Sequence, residues 1–337
     1  MKKVNAALAL IGSSCMRRTP RLLCLVALLL GISSALAAAD GGVTDGTRIP
    51  IRQDGTQRVR VHYVDDARCL RVLAAGVATR NAPPAPPTTE GVINLPVDLD
   101  PGSVVWGGLY WEILGPDVPA ALVSLNGTVV TVVPLPVGPP PCFPLTIASH
   151  PYFADVTGLV VAGDNVIDGL ADSGPPPDYG YQAEGASLVV IYESEISRAC
   201  EIIVMDGNDL LSEITFIENP MPVSCGDGES ATVIFVGGDG QDFAVDNQLW
   251  NGVALGDGDD FDCSDPRMPG AAPVGWDTDA WVVTTGGGNR GGVSAPENVP
   301  TWDCVNWIAT VLEVDVQACG ATPTQKTSWG ALRALYR

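Results

Sequence analysis

The chain has 337 residues, 46% of them hydrophobic, and sets 39 Asp and Glu against 18 Lys and Arg for a net charge of −21. Such acidity excludes a nucleic-acid partner, because phosphate binding needs a basic stripe and this sequence offers none. The length is enough to bury one large core or two ordinary ones.

Lys2, Lys3, Arg17, Arg18 and Arg21 lie in the first 37 residues, which hold no acidic residue. An apolar run from Leu22 to Leu30 follows the basic cluster and is too short to span a bilayer. It ends in small residues, and Ala35-Leu36-Ala37 fits the small-x-small pattern of a signal peptidase site. Residues 1–37 therefore read as a secretory signal cleaved after Ala37 or Ala39, and Met16 offers an alternative start directly ahead of the apolar core. Cleavage leaves 13 Lys and Arg against 39 Asp and Glu, a net charge of −26, and no transmembrane segment. Solubility outside the cell accounts for that charge; calcium sites are the second reading.

Seven cysteines remain after cleavage: Cys69, Cys142, Cys200, Cys225, Cys263, Cys304 and Cys319. They are spread singly with no CxxC pair, which argues against zinc or thioredoxin-like chemistry. Export makes disulfides the expected state. An odd count leaves one thiol free or joined to another chain, and the other six allow about 15 connectivities.

Along the mature chain the apolar segments are short, rich in Val, Ile, Thr and Trp, and bounded by Gly, Pro, Asn and Asp. They run from Arg58 to Val64, Val104 to Trp111, Ala121 to Val133, Leu159 to Val161, Ala186 to Tyr192, Glu201 to Met205, Ala231 to Val236, Ala280 to Thr284 and Trp307 to Val314. Nothing repeats with helical period, so the pattern predicts an all-β, antiparallel, disulfide-containing fold of the sandwich or jelly-roll kind. Proline-rich stretches at 83–87, 139–141 and 175–177 cannot donate ladder hydrogen bonds and read as stiff loops.

A weak internal repeat places Gly107-Gly108, Asn126-Gly127, Asp155 and Glu193 against Gly237-Gly238, Asn251-Gly252, Asp277 and Glu313. It predicts two similar β units, residues 38–195 and 196–319, followed by a tail at 320–337 with three basic and no acidic residues. On a helix, Trp329, Leu332 and Tyr336 of that tail would share a face. Docking on the acidic body and a sorting or attachment signal are both open for it.

Two stretches carry a family resemblance. Val123-Ser124-Leu125-Asn126-Gly127, then Asp155-Val156-Thr157-Gly158-Leu159 and Gly163-Asp164-Asn165-Val166-Ile167, resemble the "LNG…DVT..L..G.N.I" frame of jelly-roll domains, including sugar-binding-like domains attached to glycosidases. Gly185-Ala186-Ser187-Leu188-Val189-Val190-Ile191-Tyr192-Glu193, continuing to Asp206-Gly207, is similar to the signature of a domain of unknown function in archaeal and bacterial cell-surface proteins. The resemblance implies extracellular β-rich display and brings no catalytic residues.

Candidate sites are few. His62 and His150 are the only histidines, and no Ser or Cys has the Gly-flanked context of an exposed nucleophile. Glu112, Glu193 and Glu313 end or interrupt apolar strands, where solvated edge positions are expected; a glycosidase pair would need two of them to meet. Asp257, Asp259, Asp260 and Asp262 form the densest acidic loop, the expected calcium ligands if calcium binds, though without the Gly and closing Glu of an EF-hand. Trp250, Trp276 and Trp302 adjoin polar loops and are the expected contacts for a carbohydrate, whereas Trp281 and Trp307 read as core. The combined expectation is a secreted or cell-surface display protein without catalysis, partnered by surface components or an extracellular glycan or protein. A carbohydrate-binding module, calcium-assisted or not, is the alternative, and a secreted hydrolase comes third.

Overall fold

The structure, a computed structural model, describes residues 52–64, 68–79, 89–116, 122–138, 148–171, 181–195, 197–211, 216–241, 246–256, 274–294 and 305–318. The expected signal, the proline-rich stretches, the acidic loop 257–262, Trp302, the tail 320–337 and Cys142, Cys263, Cys304 and Cys319 lie outside these residues. Within them the chain is all-β, with antiparallel sheets stacked as sandwiches.

Two strands come first, β1 (Arg52–Asp54) and β2 (Arg58–Val64). One set then runs β3 (Leu70–Ala78), β4 (Glu90–Asn94), β5 (Val104–Gly115), β6 (Ser124–Leu125), β7 (Thr128–Val129), β8 (Val133–Pro134), β9 (Ala148–Asp155), β10 (Asp164–Asp168) and β11 (Gln182–Glu193). A second set runs β12 (Ser197–Leu210), β13 (Phe216–Pro220), β14 (Ser230–Gln241), β15 (Asn247–Trp250), β16 (Val253–Ala254), β17 (Val274–Thr284), β18 (Arg290–Ser294) and β19 (Asn306–Ala318). The first set forms the sheets β3-β11-β5-β9-β8 and β4-β10-β6-β7. The second repeats this order strand for strand, as β12-β19-β14-β17 and β13-β18-β15-β16, with β8 alone lacking a counterpart among the described residues.

The Asn-Gly turns are the best-matched points of the two sets. Asn126 and Asn251 both have φ 52°, and Gly127 and Gly252 both have φ 76°, the paired left-handed conformation that a two-residue hairpin requires. Each Asn side chain also braces the neighbouring strand. Val166 N donates to Asn126 Oδ1 at 2.9 Å, and Arg290 N donates to Asn251 Oδ1 at 2.8 Å. The glycine pairs do not align. Val156 N donates to Gly107 O as Thr285 N donates to Glu229 O, so Gly107 corresponds to Glu229 rather than Gly237. By the same register Glu313 does not correspond to Glu193.

Four sheets stacked in this way enclose three apolar layers. Ile93, Leu109, Trp111, Leu125 and Leu188 fill the first sandwich, and Met205, Phe235, Trp250, Val293 and Trp307 fill the second. Between the two sandwiches, Tyr110, Phe153, Val189, Ile202, Trp276 and Ile308 form a further layer. The strands beside it are therefore buried on both faces, which explains their continuous apolar runs. In β11, Leu188 and Val190 point into the first sandwich while Val189 and Ile191 point into the middle layer.

The strands β1 and β2 depart from the expected unit 38–195. β1 pairs in parallel with β13 and β2 antiparallel with β12, so this segment belongs to the second sandwich. It is one strand that changes sheet at Gly55–Gln57. Gly55 N donates to Glu218 O at 2.8 Å on one side, and Gln57 Nε2 donates to Trp307 O at 3.2 Å on the other. A Cβ at Gly55 would fall 2.4 Å from Asn219 Oδ1, so only glycine passes between the sheets here. The chain changes sandwich again between Glu193 and Ser197.

Candidate functional site

The polar residues of the middle layer join the two sandwiches at both ends. At one end Asn208 Nδ2, from β12, donates to Ser149 Oγ of β9 at 3.1 Å, and Ser149 donates in turn to the buried Glu112 of β5. Beside them Trp276 Nε1 donates to Ser187 Oγ at 2.7 Å, and Ser187 shares a hydrogen bond with Thr278 at 2.5 Å. At the other end Arg71 Nε meets Glu313 Oε1 at 2.7 Å and Nη2 meets Oε2 at 3.3 Å. Val72 N adds a bond to Glu313 Oε1 at 3.0 Å, and Arg71 Nη1 donates to Ser197 Oγ at 2.7 Å. The hydrogen-bonded carboxylate of Glu313 holds the Arg71 guanidinium above its ordinary pKa.

A third polar group lies between these ends. Arg60 of β2 bonds Asp206, stacks its guanidinium 4.0 Å above the Phe153 ring, and shares Asp206 with Tyr110, whose hydroxyl donates at 3.3 Å. Burial is the main cause that raises Asp206 above the usual carboxylate value, against the pull of Arg60. Burial also drives the Tyr110 hydroxyl well above its usual value, helped by the neighbouring Asp206 charge.

These contacts fix the relative direction of the sandwiches. Ser149 and Asn208 stand near the strand ends that lead into 139–147 and 212–215, whereas Arg71 and Glu313 stand at the opposite end. The connections 80–88, 117–121, 139–147 and 172–180 of the first sandwich leave from the Ser149 end. So do the connections 212–215, 242–245, 257–273 and 295–304 of the second. All three proline-rich stretches, the acidic loop and Trp302 belong to these connections. The other end carries the links 95–103, 156–163, 221–229 and 285–289 and the passage from β11 to β12.

The expected site residues fare differently. Trp250 and Trp276 are buried and use their indole N–H groups internally, Trp250 to Thr284 O at 2.8 Å and Trp276 to Ser187, so neither offers a ring to solvent. Trp250 ends β15 just before the Asn251-Gly252 turn and Trp276 lies inside β17, and both rings face cores, which local composition does not show. Trp307 is core as expected, and Trp281 is half-buried with Nε1 on Gln248 Oε1 at 2.5 Å. Glu112 and Glu313 are buried partners in the seam rather than solvated edges, while Glu193 is exposed. Glu112 pairs with Gly185, eight residues from Glu193 along β11, which sets those two roughly 27 Å apart at the usual rise per residue. That is too far for a glycosidase pair.

The histidines are engaged separately. His62 Nε2 lies 2.5 Å from Glu201 Oε1, and His150 Nε2 donates to Gly115 O at 3.1 Å. Ser224 Oγ donates to Glu201 at 2.9 Å rather than to His62, so the trio does not form a serine–histidine relay. Cys200 and Cys225 form a disulfide, and Cys69 is also disulfide-bonded. The seam is not legible in the sequence because its members are single polar residues inside apolar strands, identifiable only once sheet facing is known.

Compared with known proteins, the chain matches no family model, no curated protein and no solved structure. The likeness drawn from Gly185 to Glu193 and on to Asp206-Gly207 rests on those residues alone.

Proposed function

We propose that the chain is an exported, non-catalytic display protein in which two sandwiches, locked side by side, direct eight of their strand-to-strand connections to one end for contact with surface components. The observation that carries this reading is the common direction of the eight connections, set by the Asn208–Ser149 and Arg71–Glu313 contacts across the seam. A rigid scaffold whose strands send several connections out at one end is the arrangement by which sandwich domains present binding surfaces. The disulfides favour an oxidising compartment. Buried carboxylates committed to Arg71, Arg60 and Ser149 support scaffolding over chemistry.

The test replaces 139–147 and 172–180 with Gly-Ser segments of equal length and measures binding of the processed protein to intact cells. Loss of binding with an unchanged melting temperature is expected. Undiminished binding, recovery of the unprocessed chain from cytosol, or turnover on an ester, peptide or glycoside panel overturns the reading.

A second reading, glycan binding with or without calcium, is favoured by one observation. Segments 257–273 and 295–304 lead into β17 and β19, the two neighbours of β14. The acidic loop and Trp302 thus precede the two strands that flank β14. A glycan array with and without chelator, repeated on Trp302→Ala, tests it: unaltered profiles in all three remove both glycan and calcium.

A further inference from the structure

The link between β13 and β14, Met221–Glu229, is fastened to β12 at two consecutive residues. Cys200 holds it covalently through Cys225. Glu201, 1% exposed, holds it through three donors: Ser224 N at 2.7 Å and Cys225 N at 2.9 Å on Oε2, and Ser224 Oγ at 2.9 Å on Oε1. His62 adds a fourth contact to Oε1 from β2. The remaining neighbours of Glu201 in the sheet, Val64 on β2 and Val314 on β19, carry no charge. The link in turn covers the second core, with Met221 buried in it and Val223 and Cys225 packed against it.

We propose that Glu201 is a second latch, independent of the disulfide, so that the Met221–Glu229 link stays closed when Cys200–Cys225 is reduced and opens only when Glu201 is also neutralised. A single hydrogen bond from a mobile link would not hold it, but a carboxylate that takes two backbone N–H groups and a hydroxyl on one short stretch is a charge-assisted clasp. Burial alone would raise the Glu201 pKa. The bonds from Cys225, His62 and Ser224 outweigh it and set the carboxyl below its ordinary value, so the clasp persists at neutral pH and into mild acid. The disulfide and the clasp fasten the same short stretch, so either alone keeps the link closed and both must be lost for it to open. Opening uncovers Val223 and the Met221 side of the core, an apolar strip that reduction or acid alone leaves hidden.

The experiment is a double-mutant cycle on the full mature chain at neutral pH: wild type, Cys200→Ser/Cys225→Ser, Glu201→Gln, and the triple variant. Hydrogen exchange is read at the backbone amides of positions 224 and 225, with β14 and β19 amides as the control for global folding. Protection is expected to survive in the first three and to fall in the triple variant by about tenfold more than the single losses predict together. Should the triple variant fail to fold, the Cys200→Ser/Cys225→Ser protein is titrated from about pH 7 into acid until its Glu201 carboxyl protonates. Its link should open there, while the disulfide-intact chain stays closed. Opening in Cys200→Ser/Cys225→Ser at neutral pH, opening in Glu201→Gln with the disulfide intact, or continued protection in the triple variant overturns the proposal.

Discussion

Arg71 and Glu313 meet across the seam in a two-point ion pair, one residue from each sandwich, with Glu313 also accepting the Val72 amide. Removing either partner strands the other in a largely dry interface. Arg71→Met should cost about 3–5 kcal/mol in chemical denaturation, and Glu313→Leu a similar amount. The double variant should recover most of the loss, because two apolar side chains of similar volume need no partner. A double variant as unstable as the sum of the singles would mean that Arg71 and Glu313 do not interact.

Two buried carboxylates should leave opposite marks on the acid limb. Glu201 titrates below its ordinary value, so its contribution is complete above the unfolded Glu pKa and is lost as pH falls through the lower folded one. Glu201→Gln should therefore lower the urea midpoint at neutral pH and flatten its decline in acid. Asp206 titrates above its ordinary value because of burial. Between the ordinary and the raised value the folded chain holds the extra proton, so stability falls as pH rises through that window. Asp206→Asn should remove this fall. Urea midpoints taken from about pH 3 to 7 read both effects.

The two Asn-Gly turns provide a direct test of the internal repeat. A Cβ at Gly127 would meet nothing within 4 Å, and one at Gly252 would meet only Glu218 and Phe216 at 3.7 and 3.9 Å. The cost of substitution is therefore that of the left-handed backbone alone. Gly127→Ala and Gly252→Ala should each destabilise by about 1–2 kcal/mol and by similar amounts. Asn126→Ala should cost more than Gly127→Ala, since it also releases Val166 N and the bonds to Leu159 O and Asn165.

Gln57 is 1% exposed and uses both ends of its amide, donating to Trp307 O and accepting from Thr310 Oγ1 at 2.7 Å. Gln57→Leu leaves those two groups unpaired and should cost about 1–3 kcal/mol by thermal or chemical melting. Gln57→Glu should cost more, because it turns a carboxylate oxygen toward the Trp307 carbonyl. If both variants melt like the wild type, β1 and β2 are not seated in the second sandwich as described.

The class of fold was legible because β-branched runs between turn formers describe short strands whatever they pack against. The Asn-Gly turns were legible for a related reason: their backbone demand is written in two residues. Facing was not legible. Leu188 through Ile191 read as one apolar strand, and nothing in that run says that alternate residues serve different cores. Trp250 and Trp276 looked exposed because their sequence neighbours are polar, yet those neighbours point away into turns and seam bonds. Glu112 and Glu313 looked like solvated strand ends because the partners that justify their burial, Ser149 and Arg71, are 37 and 242 residues away. The strand that changes sheet was hidden by its alternating pattern, which fits an edge of either sandwich.

That strand imposes an order on assembly. Gln57 leaves the ribosome 250 residues ahead of Trp307, so through most of synthesis it has no place to dock. The second sandwich closes only when β19, the last strand among the described residues, arrives to receive it. Until then an early, solvent-facing β segment waits beside a completed first sandwich, and contacts this distant in sequence form slowly. Anything that holds nascent segments apart during that interval would shield the molecule from joining the wrong edge.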